Sequence, residues 1–335
     1  MPVALAVAIL VVSAALTIVL ILAIEPLLVR YVMATPNARS SHAIPTPQGG
    51  GIAVMLAVIV VCGLVLLHVP GIADRIALLQ VLVAAFGLSV LGLTDDARAL
   101  SVPGRFIGQA LAALIVIFSL PPGLSFFPDF LPLAIERALL CIGVIYFVNA
   151  VNFLDGIDMI TAAQTVPMTL GAAILTGLGY LPTSAGVLAL ALLGGMIGFS
   201  PFNKHKAKLF LGDAGSLPIG LCLAYLLILV AGANMIAALL FALYTLSDSM
   251  VTLCKRAWRR EPIFSAHRSH YYQRATSGGY SVPEVSGLVF LLGLLLAGLG
   301  IAAVMLNSIL ANIVLFAVGA ACTADVLYAF GRTRA

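Results

Sequence analysis

Charge is what this sequence lacks. Asp, Glu, Lys and Arg make up 9% of its 335 residues, against 62% hydrophobic residues. Soluble domains carry roughly 25% charged residues, so this chain cannot present a normal water-facing surface, and its mean hydropathy of +1.16 points the same way. A soluble protein is therefore excluded, and an integral membrane protein is expected. Cysteine is also scarce. Cys62, Cys141, Cys222, Cys254 and Cys322 lie in or at the ends of apolar runs without close spacing, which argues against a disulfide framework or a cysteine metal site and for small buried hydrophobes. No Lys or Arg precedes Arg30, whereas a cleaved signal peptide opens with a basic region. The first apolar run is accordingly read as a spanning helix.

What is present is a series of apolar runs near residues 2–24, 49–68, 75–94, 105–120, 131–150, 157–177, 184–200, 214–231, 233–253, 284–305 and 307–329. Their length suits spanning helices and not the short strands of a membrane barrel. The expected fold is an all-α polytopic membrane protein of eleven transmembrane helices. Ten is the lower count, because the fourth and seventh runs are short and the turn at 231–234 is tight. One membrane-embedded domain, 1–335, is expected.

Of the 17 Lys and Arg residues, all but Arg75 and Arg137 fall in alternate connections or at the C-terminus. The positive-inside rule then puts the N-terminus outside and the C-terminus in the cytoplasm. The net charge of +4 reflects this orientation and contact with anionic lipid, not nucleic-acid binding. The outer connections are short and nearly uncharged, so no binding domain is built there. The polar clusters all fall in the cytoplasmic loops near 25–48, 95–104, 149–158, 201–214 and 255–282.

In the first of these, Pro45-Thr46-Pro47 leads to Gly49-Gly50-Gly51. The glycines either bring backbone close to a partner or simply start the second helix, and alone the plainer reading has the edge. The second loop opens with Asp95-Asp96. Two adjacent carboxylates at a membrane edge call for a cation, either Mg²⁺ or Arg98 and Arg105. Asn149, Asn152, Asp155 and Asp158 in the third loop recur every three residues. If helical, each neighbours the next, and their oxygens are hard ligands suited to Mg²⁺. A transporter would use the same groups for an ion.

The fourth loop carries Lys204, Lys206 and Lys208, then Phe210-Leu211-Gly212-Asp213-Ala214-Gly215-Ser216. Its carboxylate lies between two glycines just before a helix whose N–H groups and dipole favour an anion. In the fifth loop, His267-Arg268-Ser269-His270 is suited to clamp a diphosphate, the arginine bidentately. Alternatively that segment lies flat on the membrane with Tyr271 and Tyr272 as anchors. Asp248, late in the ninth run, is weighed as functional, while Asp325 has no explanation.

Together these stretches resemble the polyprenyl-phosphate N-acetylhexosamine-1-phosphate transferase family (glycosyltransferase family 4). That family also holds the enzyme forming the first lipid intermediate of peptidoglycan and the eukaryotic dolichol-phosphate enzyme. The Asp95-Asp96 pair, the Asn149–Asp158 block, the Phe210–Ser216 block and the histidine loop occur in the family's order. Within the family, His267-Arg268-Ser269-His270 followed by Tyr272-Gln273, and Asp95-Asp96-Ala97-Arg98, are similar to the bacterial O-antigen branch. The lysine and the histidine run of the peptidoglycan branch are missing. Met159 stands where the family usually has glycine.

The resemblance implies transfer of an N-acetylhexosamine-1-phosphate (GlcNAc, or a deoxy relative such as FucNAc or QuiNAc) from its UDP-sugar to undecaprenyl phosphate, releasing UMP. This would be the first membrane step of O-antigen synthesis in a bacterial inner membrane. It implies Mg²⁺, with Mn²⁺ as the alternative, held by Asn152 and Asp213. Asp95, Asp96 and Asp155 become catalytic candidates. Asn149, Asp158, Phe210, Lys208, His267, Arg268 and His270 become substrate-binding candidates, with Phe210 stacking on uracil and Asp158 bonding its edge. Because a phosphate monoester is mostly ionised at neutral pH, the aspartate pair is read as positioning the nucleophile, through Lys or Arg, more than as a base. The last loop is the expected selector of the sugar. The alternatives are a peptidoglycan-precursor transferase, a transferase releasing UDP, and a transporter or flippase. No inverted repeat supports the last. Glycine-rich helices such as 287–300 pack either within the chain or in a homodimer.

Overall fold

The computed structural model describes residues 1–34, 45–128, 130–262 and 267–334. The parts of the first and last loops at 37–44 and 263–266 lie outside the described residues. The chain runs α1 (Val3–Tyr31), β1 (Met33–Ala34), β2 (Thr46–Pro47), α2 (Gly51–His68), α3 (Arg75–Ala97), α4 (Val102–Ser119) and α5 (Leu133–Phe153). It continues through α6 (Ile160–Gly177), α7 (Thr183–Asn203), α8 (Asp213–Ala233), α9 (Met235–Trp258), α10 (Tyr271–Ser277), α11 (Val282–Leu306) and α12 (Ile309–Phe330).

All eleven apolar runs appear as long helices, and ten of the described helices are long and apolar enough to cross a membrane. The eleventh is α6. Thr161, Gln164, Thr165 and Thr169 lower its hydropathy, and all four are buried against neighbouring helices. The molecule is an all-helical, polytopic membrane protein.

Element boundaries depart from the sequence pattern in instructive ways. Helix α1 continues to Tyr31, well past the apolar run, because a polar end costs nothing once outside the hydrocarbon. Asn149 and Asn152 belong to the last turn of α5, whereas Asp155 and Asp158 lie in the loop that follows. The three-residue spacing is thus helical for only half of its length. The turn between α8 and α9 is held by Asn234, whose side chain accepts from Ala237 N at 3.0 Å and donates to Ala303 O at 3.1 Å. The last loop contains α10, and its Tyr271 and Tyr272 are buried. They are therefore not the interfacial anchors of a flat-lying helix.

Helix α8 is the most enclosed of the spanning helices, and α1 and α12 are the least. Two neighbouring helices, α2 and α3, press on its N-terminal end because the contacts lack side chains. A Cβ on Gly51 would stand 2.1 Å from Gly215 Cα, and one on Gly92 would stand 2.2 Å from Asp213 O. Gly50 N and Gly51 N donate to Phe210 O and Leu211 O at 2.9 Å each. The glycine triplet therefore does start α2, but it also brings backbone onto backbone. The plainer reading of it was incomplete.

Candidate active site

The α3 end, the α5 end, the α7–α8 loop and α10 converge on one polar region. Asp96 does not stand free there. Its carboxylate accepts from Asp213 N at 3.0 Å, Ala214 N at 3.1 Å and Gln48 Nε2 at 3.2 Å. The anion that the α8 N-terminus favours is thus supplied from within, by a residue on another helix. Gly212, at φ +72°, makes room for it, since a Cβ there would meet Asp96 Oδ2 at 2.4 Å. Asp95 accepts from Leu100 N at 2.6 Å and from Arg105 Nη1 at 3.0 Å. Of the two cationic partners open to Asp95, Arg105 is the one in contact.

Asn149 and Asn152 face different neighbours. Asn149 Nδ2 donates to Gln109 Oε1 at 2.6 Å, and Asn152 Nδ2 donates to Asp213 Oδ1 at 2.7 Å and to Ser216 Oγ at 2.9 Å. Past the helix end, Asp155 Oδ1 accepts from Thr161 Oγ1 at 2.5 Å. Its withdrawal from water holds the Asp155 carboxyl well above the ordinary aspartate range; Thr161 works against this, and Asp213, Asp96 and Asp158 reinforce it. Asp158 is buried, with its Oδ2 2.8 Å from His205 Nδ1 and 3.3 Å from Ala207 N. Met159, in the place of the family glycine, takes the left-handed conformation that glycine takes readily, at φ 65°. Its N–H donates to Asn203 Oδ1 at 2.7 Å. The backbone path is kept at the cost of some strain.

Asp248 organises the histidine loop. This fully buried carboxylate accepts from Tyr271 N at 2.9 Å, Tyr272 N at 3.1 Å and Tyr244 Oη at 3.2 Å, and lies 3.2 Å from His270 Nδ1. It thereby caps α10 and fixes the His270 ring. His267 stacks on His270 with ring centroids 4.9 Å apart. Burial, then the neighbouring His270 and Arg256, push His267 down to about 4, so it is neutral at physiological pH. Tyr272 Oη donates to Phe153 O at 2.9 Å, docking α10 on the α5 end. Gly156 lies directly beneath, where a Cβ would stand 2.2 Å from Tyr272 Oη.

These residues enclose two spaces. One is a polar cavity of about 480 Å³ lined by Asp95, Asp96, Asp155, Asp158, Phe210 and Asp213, among others, with Arg105 its one basic side chain among the described residues. Five carboxylates on one cavity repel unless a cation joins them. The other is an apolar groove of about 640 Å³ with Phe106, Ile142, Ile145, Tyr146, Leu217 and Leu253 along it. Its polar end carries Asn149, His267 and His270. Arg105, Asn152 and Asp213 line both spaces.

The site candidates are thereby sorted. Asp95, Asp96, Asn152, Asp155, Asp158, Phe210 and Asp213 meet at the cavity, and Asn149, His267 and His270 meet at the groove. Lys208 is exposed and, like Arg268, lines neither. Gln48, Gln109, Asn203 and Gln273 line the two spaces without having been singled out as site residues. For Gln109 a signal existed, as a lone amide within an apolar run. Asp325 sits on the exposed side of α12, and nothing in the structure explains it.

In a helical membrane protein, an acidic cavity joined to an apolar groove offers room for a polar molecule beside a lipid. Comparison with known proteins agrees. Residues 78–231 match the family model described as glycosyl transferase family 4. The chain is 31% identical to the phospho-N-acetylmuramoyl-pentapeptide-transferase of Geobacillus kaustophilus, over 76% of this chain and 83% of that one. It is 29% identical to the decaprenyl-phosphate N-acetylglucosaminephosphotransferase of Mycobacterium tuberculosis, over 77% and 72%. It is 28% identical to a probable undecaprenyl-phosphate N-acetylglucosaminyl 1-phosphate transferase of Bacillus subtilis, over 82% and 76%. The chain belongs to glycosyl transferase family 4. These relatives are phosphotransferases by name, two of them for a polyprenyl phosphate and N-acetylglucosamine, and the molecule is a multi-pass membrane enzyme of the same family.

Proposed function

We propose that this protein transfers an N-acetylhexosamine-1-phosphate from a UDP-sugar to undecaprenyl phosphate on the cytoplasmic face of a bacterial inner membrane, opening the synthesis of an O-antigen or similar surface polysaccharide. The observation that carries the reading is the junction of cavity and groove at Arg105, Asn152 and Asp213. A sugar nucleotide is polar and anionic and suits the cavity; a polyprenyl chain is apolar and suits the groove. The two phosphates then meet where the two spaces join.

In the reaction, an oxygen of the lipid phosphate attacks the β-phosphorus of the sugar nucleotide. The bond from that phosphorus to the bridging oxygen breaks, and UMP leaves with the electron pair. Arg105, held by Asp95, is suited to fix the incoming phosphate at the junction. His267 and His270 line the groove and are suited to contact a phosphate that enters it. Phe210 and Asp158 offer a ring face and a carboxylate for the uracil, and binding there requires Asp158 to yield or share its contact with His205. Asp96 acts indirectly, by holding the α8 N-terminus and with it Asp213.

Mg²⁺ fits the residues present. Among the described residues no group of three or more His, Cys, Asp or Glu forms a closed cage, but Mg²⁺ is usually held by one or two carboxylates together with substrate phosphates and water. Asn152 and Asp213 would hold it, with Mn²⁺ able to substitute. Bound there, the ion would neutralise charge on the diphosphate.

The test is nucleotide release by purified protein given undecaprenyl phosphate, Mg²⁺ and a panel of UDP-N-acetylhexosamines, including the peptidoglycan precursor. UMP should appear with one or more small UDP-N-acetylhexosamines, and should vanish in Asp213→Ala and on chelation by EDTA. Release of UDP instead would mean plain glycosyl transfer. UMP with the peptidoglycan precursor alone would assign the protein to that branch.

A further inference from the structure

A polar side chain of α10 borders the cavity without a task so far. Gln273 lies on α10 and is only 9% exposed. It lines the polar cavity next to Gly156, with its Nε2 3.3 Å from the place a Cβ on Gly156 would occupy. Its Oε1 is buried and has no hydrogen-bond partner. Buried polar atoms are nearly always paired, and leaving one unpaired costs about as much as a lost hydrogen bond. Nothing in the fold recovers that cost. The neighbouring residues fix α10 firmly, through Asp248 on its first N–H groups and Tyr272 Oη on Phe153 O. The unpaired oxygen is therefore not the result of a loosely held helix. Since Oε1 gives up no bond, the terminal amide can turn towards the cavity without losing one.

We infer that the Gln273 amide recognises the acetamido group of the donor sugar. The inference rests on the reading of this cavity as a sugar-nucleotide site. A primary amide offers one acceptor and two donors; an acetamido group is a trans amide whose N–H and carbonyl point opposite ways, so Gln273 bonds one of the two, its Oε1 accepting from the N–H or its Nε2 donating to the carbonyl. A hydroxyl has no carbonyl, and its oxygen lies two bonds closer to the sugar ring than the acetamido carbonyl oxygen does. The uracil ring does carry a donor and an acceptor on one edge, but Phe210 and Asp158, the groups read as facing it, lie on the α7–α8 and α5–α6 loops, and Gln273 comes from a different element. A site built to hydrogen-bond one group rejects the analogue lacking it far more strongly than an apolar pocket does.

The experiment compares dissociation constants of UDP, UDP-glucose and UDP-N-acetylglucosamine for the Mg²⁺-supplemented wild-type protein and for Gln273→Met, with thermal unfolding of both in the absence of ligand. The wild type should favour the acetamido sugar over UDP-glucose by roughly tenfold or more. Gln273→Met should bring that ratio close to one and leave the UDP constant within about twofold. Its unfolding temperature should be unchanged or higher, because the variant removes an unpaired buried oxygen. If Gln273→Met does not fold, Gln273→Asn must show the same loss of preference. A preserved preference in the variant would overturn the inference. So would equal weakening of UDP and both sugars, which would assign the amide to the nucleotide. If the wild type binds neither UDP nor either sugar, the sugar-nucleotide reading of the cavity itself fails, and this inference with it.

Discussion

Single residues in this site are placed by partners far away in sequence, and substitutions should expose those pairings. Gly156→Ala puts a methyl 2.2 Å from Tyr272 Oη and 3.1 Å from its ring carbon Cζ. Tyr272 is fully buried and cannot retreat, so the α5–α6 loop must move. We expect a loss of most transfer activity and about 1–3 kcal/mol of stability. Tyr272→Phe removes the offending oxygen, so the double variant should recover part of both, a coupling that a double-mutant cycle reads directly. Asp95→Asn tests a different assignment. If Asp95 serves to hold Arg105, the variant should be impaired by a similar factor at pH 6 and pH 9, since the lipid phosphate is ionised over most of that range. Full recovery at pH 9 would instead make Asp95 a base.

At the scale of elements, the site depends on helices meeting with no side chain between them. Gly51 and Gly215 join α2 to α8, and Gly92 joins α3 to the same point. Gly51→Ala meets backbone on a neighbouring helix, which no rotamer change relieves. It should cost about 3 kcal/mol or more and displace the loop that carries Asp213. Gly63, on the same helix with nothing within 4 Å of a built Cβ, is the control. Gly63→Ala should raise stability by about 0.5–1 kcal/mol through helix propensity. Thermal unfolding in detergent, run on both variants, separates close packing from a general effect of glycine in α2.

For the whole molecule, the collected carboxylates set how stability varies with pH. Asp155 has a folded-state pKa above its unfolded value, so the folded protein binds the extra proton. Its contribution is full below the ordinary aspartate range and is lost as pH rises towards the folded value. His267 runs the other way. Its pKa falls to about 4 in the folded state, so stability is lost as pH drops from about 6.5 towards that value. Between about pH 4 and 6.5 the two groups of the protein without ligand or divalent cation therefore act in opposite directions, acidification removing the His267 contribution and restoring that of Asp155. With rising pH the Asp155 contribution is lost while that of His267 is retained. Asp155→Asn should raise the unfolding temperature near neutral pH and flatten its decline with rising pH. His267→Gln should lessen the acid loss. An unchanged profile in Asp155→Asn would mean that the loop is more open to water than its geometry implies.

The sequence alone was enough for the fold class and for the order of the polar motifs. Both follow from local composition, because a run of apolar residues long enough to span a bilayer forms a helix whatever its neighbours do. It was also enough to single out Asn152 and Asp213, which lie 61 positions apart and prove to be in contact. Tertiary structure decided what each carboxylate does. Asp95 and Asp96 are adjacent in the chain, yet one holds Arg105 and the other caps α8. Asp248 and His270 belong to one cluster, and Gln273 reaches the cavity only because α10 docks on the end of α5. Such roles depend on which donors surround a group once the helices pack, and a pattern of spacings carries no record of that.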